Sequence, residues 1–352
     1  MGFFITVLAL GFVVFFHELG HMLFAKWFGV GVYEFSVGMG PKVLGKKIKE
    51  TLYSVRLLPF GGFVKLAGLD DEESEVPVDE NLKFTSKPVY QRFLILSAGS
   101  LMNIFLGFLI FFFLYLFMGV PHSTTEISSV APHSSAMVAG LKGGDVIESV
   151  DGVSLNHSGN LLVSRIMSSN QHPLAFRVLR NGQFFEVTLS PKFEKNKYVI
   201  GVVLKSVPIH VSFFQAVKLG AMTVCYHVYL VFYGLSELFH GHAAMDQLTG
   251  PIGIIQFASY QFHEGVLQFF KVIAMISISL GVMNLLPFPV LDGGHLFFLL
   301  FEGVRGKPLS KKIEGYVNNG GIAILVALML LIVVNDIRFW GLRSQILKSL
   351  LG

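Results

Sequence analysis

Phe15-Phe16-His17-Glu18-Leu19-Gly20-His21 lies inside the first apolar stretch of this chain of 352 residues. On a helix, His17 and His21 stand four residues apart on one face, so both rings can reach a single metal ion. Glu18 beside them can take a proton from a water at that metal. Two imidazole donors and a position left open for water suit zinc. The flanks matter as much as the spacing. Residues 5–16 and 22–28 are nearly all apolar. Two imidazoles and a carboxylate at membrane depth oppose insertion by several kcal/mol unless they are partnered. A chance match to this spacing would fall more often on a polar surface helix, which favours a metal site over coincidence.

The composition extends this reading to the whole chain. Charged residues make up 14% of it and hydrophobic ones 53%, whereas soluble domains carry about 25% charged residues. The expected class is a polytopic α-helical membrane protein, with about four transmembrane helices and some soluble mass. The net charge of +4 fits Lys and Arg flanking membrane spans. No basic cluster carries interleaved aromatics, so no nucleic-acid partner is expected. Cys225 is the single cysteine, which excludes an internal disulfide and any multi-cysteine metal site. It sits in an apolar stretch and reads as a packing residue. The first apolar run lacks a basic leader and a small-residue cleavage site, so it reads as a retained span.

Taken in order, residues 1–118 form an N-terminal membrane core. The first span covers 2–24, with Lys26 and Trp27 at an interface. Residues 25–91 hold Lys26, Lys42, Lys46, Lys47, Lys49, Arg56, Lys65, Lys83 and Lys87, which places them on the cytoplasmic side. The N-terminus is then outside. Within this segment, 35–41 and 58–65 combine Gly, Pro and alternating apolar residues, and read as short strands or re-entrant loops. Asp70, Asp71, Glu72, Glu73 and Glu75 read as a solvated acidic loop. The second span covers 93–118. Its isolated Asn103 either hydrogen-bonds across helices or lines the site.

Residues 119–207 change character and read as one inserted α/β domain, extracytoplasmic by the same topology. Strands are expected at 127–130, 146–150, 175–179, 184–189 and 199–203, with a hairpin turn at Asn181-Gly182. Short helices are expected at 136–139 and 161–167. Residues 208–262 are expected to form a helical segment lying along the membrane surface. Its 209–240 portion is long enough to span, but Gln215, Lys218, His227, Glu237 and His240 interrupt it. The surface reading also brings Asp292 to the cytoplasmic end of the next span, level with His17 and His21. His240 and His242 read as hydrated interfacial residues.

Residues 263–336 form a C-terminal membrane core. The span 266–286 ends in Met283-Asn284-Leu285-Leu286-Pro287-Phe288-Pro289-Val290-Leu291-Asp292-Gly293-Gly294-His295. Two prolines and two glycines cannot continue a regular helix, and unwound backbone at membrane depth must be buried in protein or line a cavity. Asp292 is the expected third metal ligand, completing three protein donors plus water. His295 is the competing choice. A last span is centred on 322–334, and 337–352 read as an amphipathic tail.

Three features coincide: His-Glu-x-x-His in the first span, one insert whose 139–147 and 150–152 runs resemble bacterial PDZ domains, and Asn-x-x-Pro-x-Pro-x-Leu-Asp-Gly in the third span. Together with Thr249-Gly250-Pro251-Ile252 they resemble the site-2 protease family of intramembrane zinc metalloproteases, most closely its bacterial regulator-of-sigma-E members. The resemblance implies one zinc ion on His17, His21 and Asp292, with Glu18 as catalytic base. It implies substrate contacts from Asn284, a loop shaped by Pro287 and Pro289, and a membrane-associated β-loop around Gly38 and Gly40 that holds the substrate extended. It further implies a bacterial inner-membrane location, the lipid bilayer as surroundings, and transmembrane-segment substrates such as anti-sigma factors or remnant signal peptides. An upstream protease would trim these first. The sigma-E regulators carry two tandem PDZ domains, and this chain has room for one. The rival expectations are a membrane zinc protease that cuts loop or soluble segments, and an inactive PDZ-bearing membrane adaptor.

Overall fold

The structure is a computed structural model that describes residues 2–69, 79–194, 197–241 and 249–338. The acidic loop, His242 and the tail beyond Arg338 lie outside the described residues. The chain divides into two units. One comprises Met1–Leu114 with Ala216–Gly352, and the other Tyr115–Gln215.

In the first unit, a largely apolar sequence without Pro, interrupted by His17, Glu18, His21 and Lys26, forms α1 (Gly2–Trp27). Two long strands follow, β1 (Val32–Ile48) and β2 (Thr51–Leu66), paired antiparallel. Their register is folded back on itself. Phe35 pairs with Val64 on one side and with Tyr53 on the other, and 42–48 pair with the first residues of β2. The expected short strands at 35–41 and 58–65 are thus parts of one hairpin. A half-buried network ties it: Arg56 donates to Glu34 Oε1 at 2.8 Å, to Ser36 Oγ at 3.0 Å and to the Gly40 carbonyl at 2.8 Å. Then come α2 (Val89–Met118), α5 (Phe213–Phe239), α6 (Pro251–Glu264), α7 (Val266–Leu285), α8 (Asp292–Arg305) and α9 (Lys311–Arg338), with α3 (Ser135–Val138) and α4 (Gly159–Met167) belonging to the second unit.

Five of these helices, α1, α2, α5, α7 and α9, are long and apolar enough to cross a membrane. One more than the expected four therefore meets that criterion. The addition is α5, whose mean hydropathy of 1.3 falls below the 2.0–2.4 of the others because of the polar residues already noted. Two apolar clusters hold the unit. One joins α1, the hairpin, α2 and α8 through Met22, Ala25, Phe35, Ile95 and Leu296. The other joins α1, α2, α6 and α7 through Val13, Leu106, Ala258 and Phe269. Arg92 on α2 and Glu302 on α8 form a half-buried bidentate pair at 3.1 and 2.5 Å.

The second unit is a sheet of six strands. These are β3 (Val120–Val130), β4 (Val146–Val150), β5 (Val153–Ser154), β6 (Leu174–Arg180), β7 (Gln183–Leu189) and β10 (Val202–Ile209), in the order β10-β3-β4-β6-β7 with β5 beside β4. The helices are α3 (Ser135–Val138) and α4 (Gly159–Met167), and β8 (Lys192–Glu194) pairs with β9 (Lys197–Val199). Asn181 and Gly182 both have positive φ, 50° and 82°, the two-residue hairpin turn that the Asn-Gly pair favours. The expected strand at 199–203 is divided between β9 and β10. Gly201 at φ +79° breaks it. Ile127, Ile147, Leu162, Phe176 and Val178 are fully buried at the centre of the unit's core.

Candidate metal centre

The centre starts from how closely α1 and α2 approach. A Cβ on Gly20 would meet the Ala98 backbone, and a Cβ on Gly99 would land on His21 Nε2. Small residues on both helices therefore bring the face of α1 that carries His17 and His21 directly onto α2. Both histidines are buried. The ring of His21 is fixed from behind, with Nδ1 donating to the Ile95 carbonyl at 2.9 Å. That places the ring proton on Nδ1 and leaves the Nε2 lone pair free to face a metal.

Asp292 reaches the same point from α8, where it is the first helical residue. The preceding segment folds tightly: Phe288 donates to the Leu286 carbonyl at 2.6 Å and Leu291 to the Phe288 carbonyl at 3.3 Å. Val290 sits at φ +79°, a strained conformation for a β-branched residue. Gly293 and Gly294 have the Leu286 and Phe288 carbonyls where a Cβ would be. This is why the turn needs the Gly-Gly pair directly after Asp292.

Three donor atoms converge. His17 Nε2 lies 3.2 Å from His21 Nε2 and 3.2 Å from Asp292 Oδ2, and His21 Nε2 lies 3.4 Å from Asp292 Oδ2. A tetrahedral zinc with ligand bonds of about 2.0–2.1 Å holds its donors about 3.3–3.4 Å apart. The triangle matches one face of such a tetrahedron, and two imidazoles with one carboxylate leave the fourth position to water or substrate. Among the described residues, no other three His, Cys, Asp or Glu side chains gather in this way. His295 does not join the cluster, and its ring lies toward Phe298.

The other expected residues sit around this triangle in different ways. Glu18 is half-buried beside it, in electrostatic contact with His21, His17 and Asp292, and accepts the Val64 amide of β2. Asn284 places its side-chain amide 3.5 Å from His17 Nε2. Pro287 and Pro289 lie in the turn between α7 and α8, and Pro289 packs against Gly321 of α9. Gly38 and Gly40 belong to β1, both with positive φ. Ser100 was missed from sequence; its hydroxyl donates to Asp292 Oδ2 at 3.4 Å. So was the role of Gly99. The available signal was the small-residue run Ala98-Gly99-Ser100 in an otherwise bulky helix.

The family model for peptidase family M50 matches residues 5–328. The chain belongs to peptidase family M50, the site-2 protease family. This M50 peptidase is 31% identical to the regulator of sigma-W protease RasP of Bacillus subtilis, covering 94% of this chain and 97% of that one. It is 31% identical to the zinc metalloprotease RasP of Geobacillus kaustophilus, over 94% and 96%, and 30% identical to that of Shouchella clausii, over 92% and 96%. The M50 peptidase is a zinc-dependent protease with the apolar helices of a bacterial membrane protein.

Proposed function

We propose that this protease hydrolyses peptide bonds within transmembrane segments of other membrane proteins. The observation that carries the reading is the depth of the donor triangle. His17 is fifteen residues into an apolar helix, about 22 Å from its start by helical rise. The non-helical turn 286–291 leads into Asp292 beside it. His17, His21 and Asp292 are the ligands in this reading. Zinc held there supplies Lewis acidity, polarising a carbonyl and making a water easier to deprotonate. Glu18, steadied by the Val64 amide, takes the proton of the attacking water and returns it to the leaving amine. A helical substrate hides its backbone in its own hydrogen bonds and must unwind first. The hairpin around Gly38 and Gly40 would hold the extended form by strand pairing. Asn284 would bind substrate backbone, and Pro287 and Pro289 would shape the loop that presents it. Anti-sigma-factor-like proteins and remnant signal peptides, already trimmed by another protease, fit such a site.

The test is cleavage of a model transmembrane substrate reconstituted in vesicles, with mass spectrometry of the products. The intact enzyme should cut inside the apolar segment. Glu18→Gln should retain zinc and lose turnover by at least about 100-fold. Cuts confined to loops outside the bilayer would favour the loop-cleaving reading instead.

The 115–215 unit is, in this proposal, an extracytoplasmic PDZ domain. An apolar cleft of about 340 Å³ beside α4, lined by Leu162, Ile166, Tyr198, Ile200 and Val202, is where it would take a peptide. The helix α5 is proposed to lie along the outer membrane surface. It begins after Ile209, which lies against Gly119 at the end of α2. Gly250, at the start of α6, is held by Asp336 near the end of α9. What supports the surface reading is the run of polar residues Gln215, Lys218, His227 and Glu237 along α5, with His240 directly after it. Single cysteines at Lys218 and Glu237, in a Cys225→Ala background, should both react with a membrane-impermeant maleimide from the same side. Labelling from opposite sides would sink this topology.

A further inference from the structure

α2 supports the metal-facing histidines from behind, and it does so unequally. Ile95 and Asn103 are eight residues apart on one face of α2. The Ile95 carbonyl can only accept, so its contact with His21 Nδ1 places the ring proton there and frees Nε2. Asn103 stands in the matching place behind His17. Its side chain is fully buried, and its Nδ2 lies 3.5 Å from His17 Nδ1. In that orientation two groups are wrongly matched. If His17 Nε2 faces the metal, Nδ1 carries the proton and meets another donor. Meanwhile Asn103 Oδ1 is buried with no hydrogen-bond partner. A half-turn of the amide exchanges its oxygen and nitrogen, whose assignment rests on the hydrogen-bond network alone. The orphaned acceptor then meets the proton that needs it. The turn itself is anchored, because Ser277 Oγ of α7 donates to the Asn103 backbone carbonyl at 2.8 Å.

Resting on the ligand reading above, we infer that Asn103 is a positioning residue: its side-chain oxygen accepts from His17 Nδ1–H and thereby fixes Nε2 as the nitrogen offered to zinc. Both histidines then take their tautomer from α2, one from a backbone carbonyl and one from a side chain. Asn103 touches neither metal nor substrate.

The full-length protein in detergent is titrated with zinc against a competing chelator, and the cobalt-substituted form is followed by its visible absorption. Asn103→Leu keeps the shape and removes the acceptor. It should weaken zinc binding about 10–100-fold and change the cobalt spectrum. Asn103→Asp keeps acceptor oxygens and removes the amide N–H. It should bind zinc close to wild type with an unchanged cobalt spectrum. Wild-type affinity in Asn103→Leu, or equal loss in both variants, overturns the inference. If Asn103→Leu does not fold, Asn103→Asp decides alone: retained affinity supports the oxygen's role and lost affinity refutes it. His17→Ala separates the two levels. Undiminished zinc binding there overturns the ligand reading itself, whereas loss there with an unaffected Asn103→Leu overturns only the role of Asn103.

Discussion

Gly99 has no side chain because His21 occupies the place where one would be. Gly99→Ala should therefore push the His21 ring off the Ile95 carbonyl and lower zinc affinity by about 10–100-fold. Metal content after dialysis against a weak chelator measures this, and full zinc retention would refute it. At this scale the sequence was informative about which residue types matter and silent about partners. His17, Glu18 and His21 were legible because a helix repeats every 3.6 residues and puts i and i+4 together. Asp292 and His295 were both available to the same helix, and only the converging distances separate them. Asn103 was legible as an oddity in an apolar span, with no sign of which ring it served.

Among the elements, α6 shows how one helix is held by another. Its N-cap, Gly250, offers no side-chain oxygen. Asp336 of α9, almost wholly buried, accepts the Gly250 and Gly253 amides instead, each at 3.0 Å. Asp336→Ala would leave these buried donors unmatched, at roughly 1–3 kcal/mol each. The protein in detergent should melt distinctly lower, with Asp336→Asn between it and wild type. A melt identical to wild type would show that water satisfies those amides. The Thr249-Gly250-Pro251 signature was legible as a motif, but its partner lies more than eighty residues away. The hairpin was half legible. Glycines and alternating apolar residues marked strands, whereas the double pairing of Phe35 depends on bulges that carry no residue signature.

Across the whole molecule, each unit has its own core. Both cores are apolar, and the second adds a buried carboxylate paired with an arginine at its core edge: Asp145 takes Arg180 Nε at 2.7 Å, Arg180 Nη2 at 2.8 Å and the Lys142 amide at 2.8 Å. Burial pushes this carboxyl up, but the Arg180 and Lys142 hydrogen bonds outweigh it and hold it below the ordinary carboxylate range. A group whose folded pKa is depressed contributes stability above its unfolded pKa and loses it as pH falls through the folded value. The contribution is full at neutral pH and fades below about pH 4. Hydrogen exchange of peptides from 115–215 should lose protection over that range. In Asp145→Asn it should be weaker at neutral pH and nearly flat in acid. Parallel pH curves would remove the pair from the account.

The sequence by itself determined the class of protein, the metal motif in the first span, the α/β insert with its Asn-Gly turn, and the broken segment that carries Asp292. These are local matters, decided by composition, by helical and strand periodicity, and by residues that forbid one backbone conformation. The tertiary structure alone decided that His17, His21 and Asp292 form one triangle of 3.2–3.4 Å edges, and that α2 supplies the groups behind it. The physical reason is that convergence depends on how near two backbones can come. That distance is set by Gly20 against Ala98 and Gly99 against His21, contacts between residues nearly eighty positions apart whose fit no periodicity encodes.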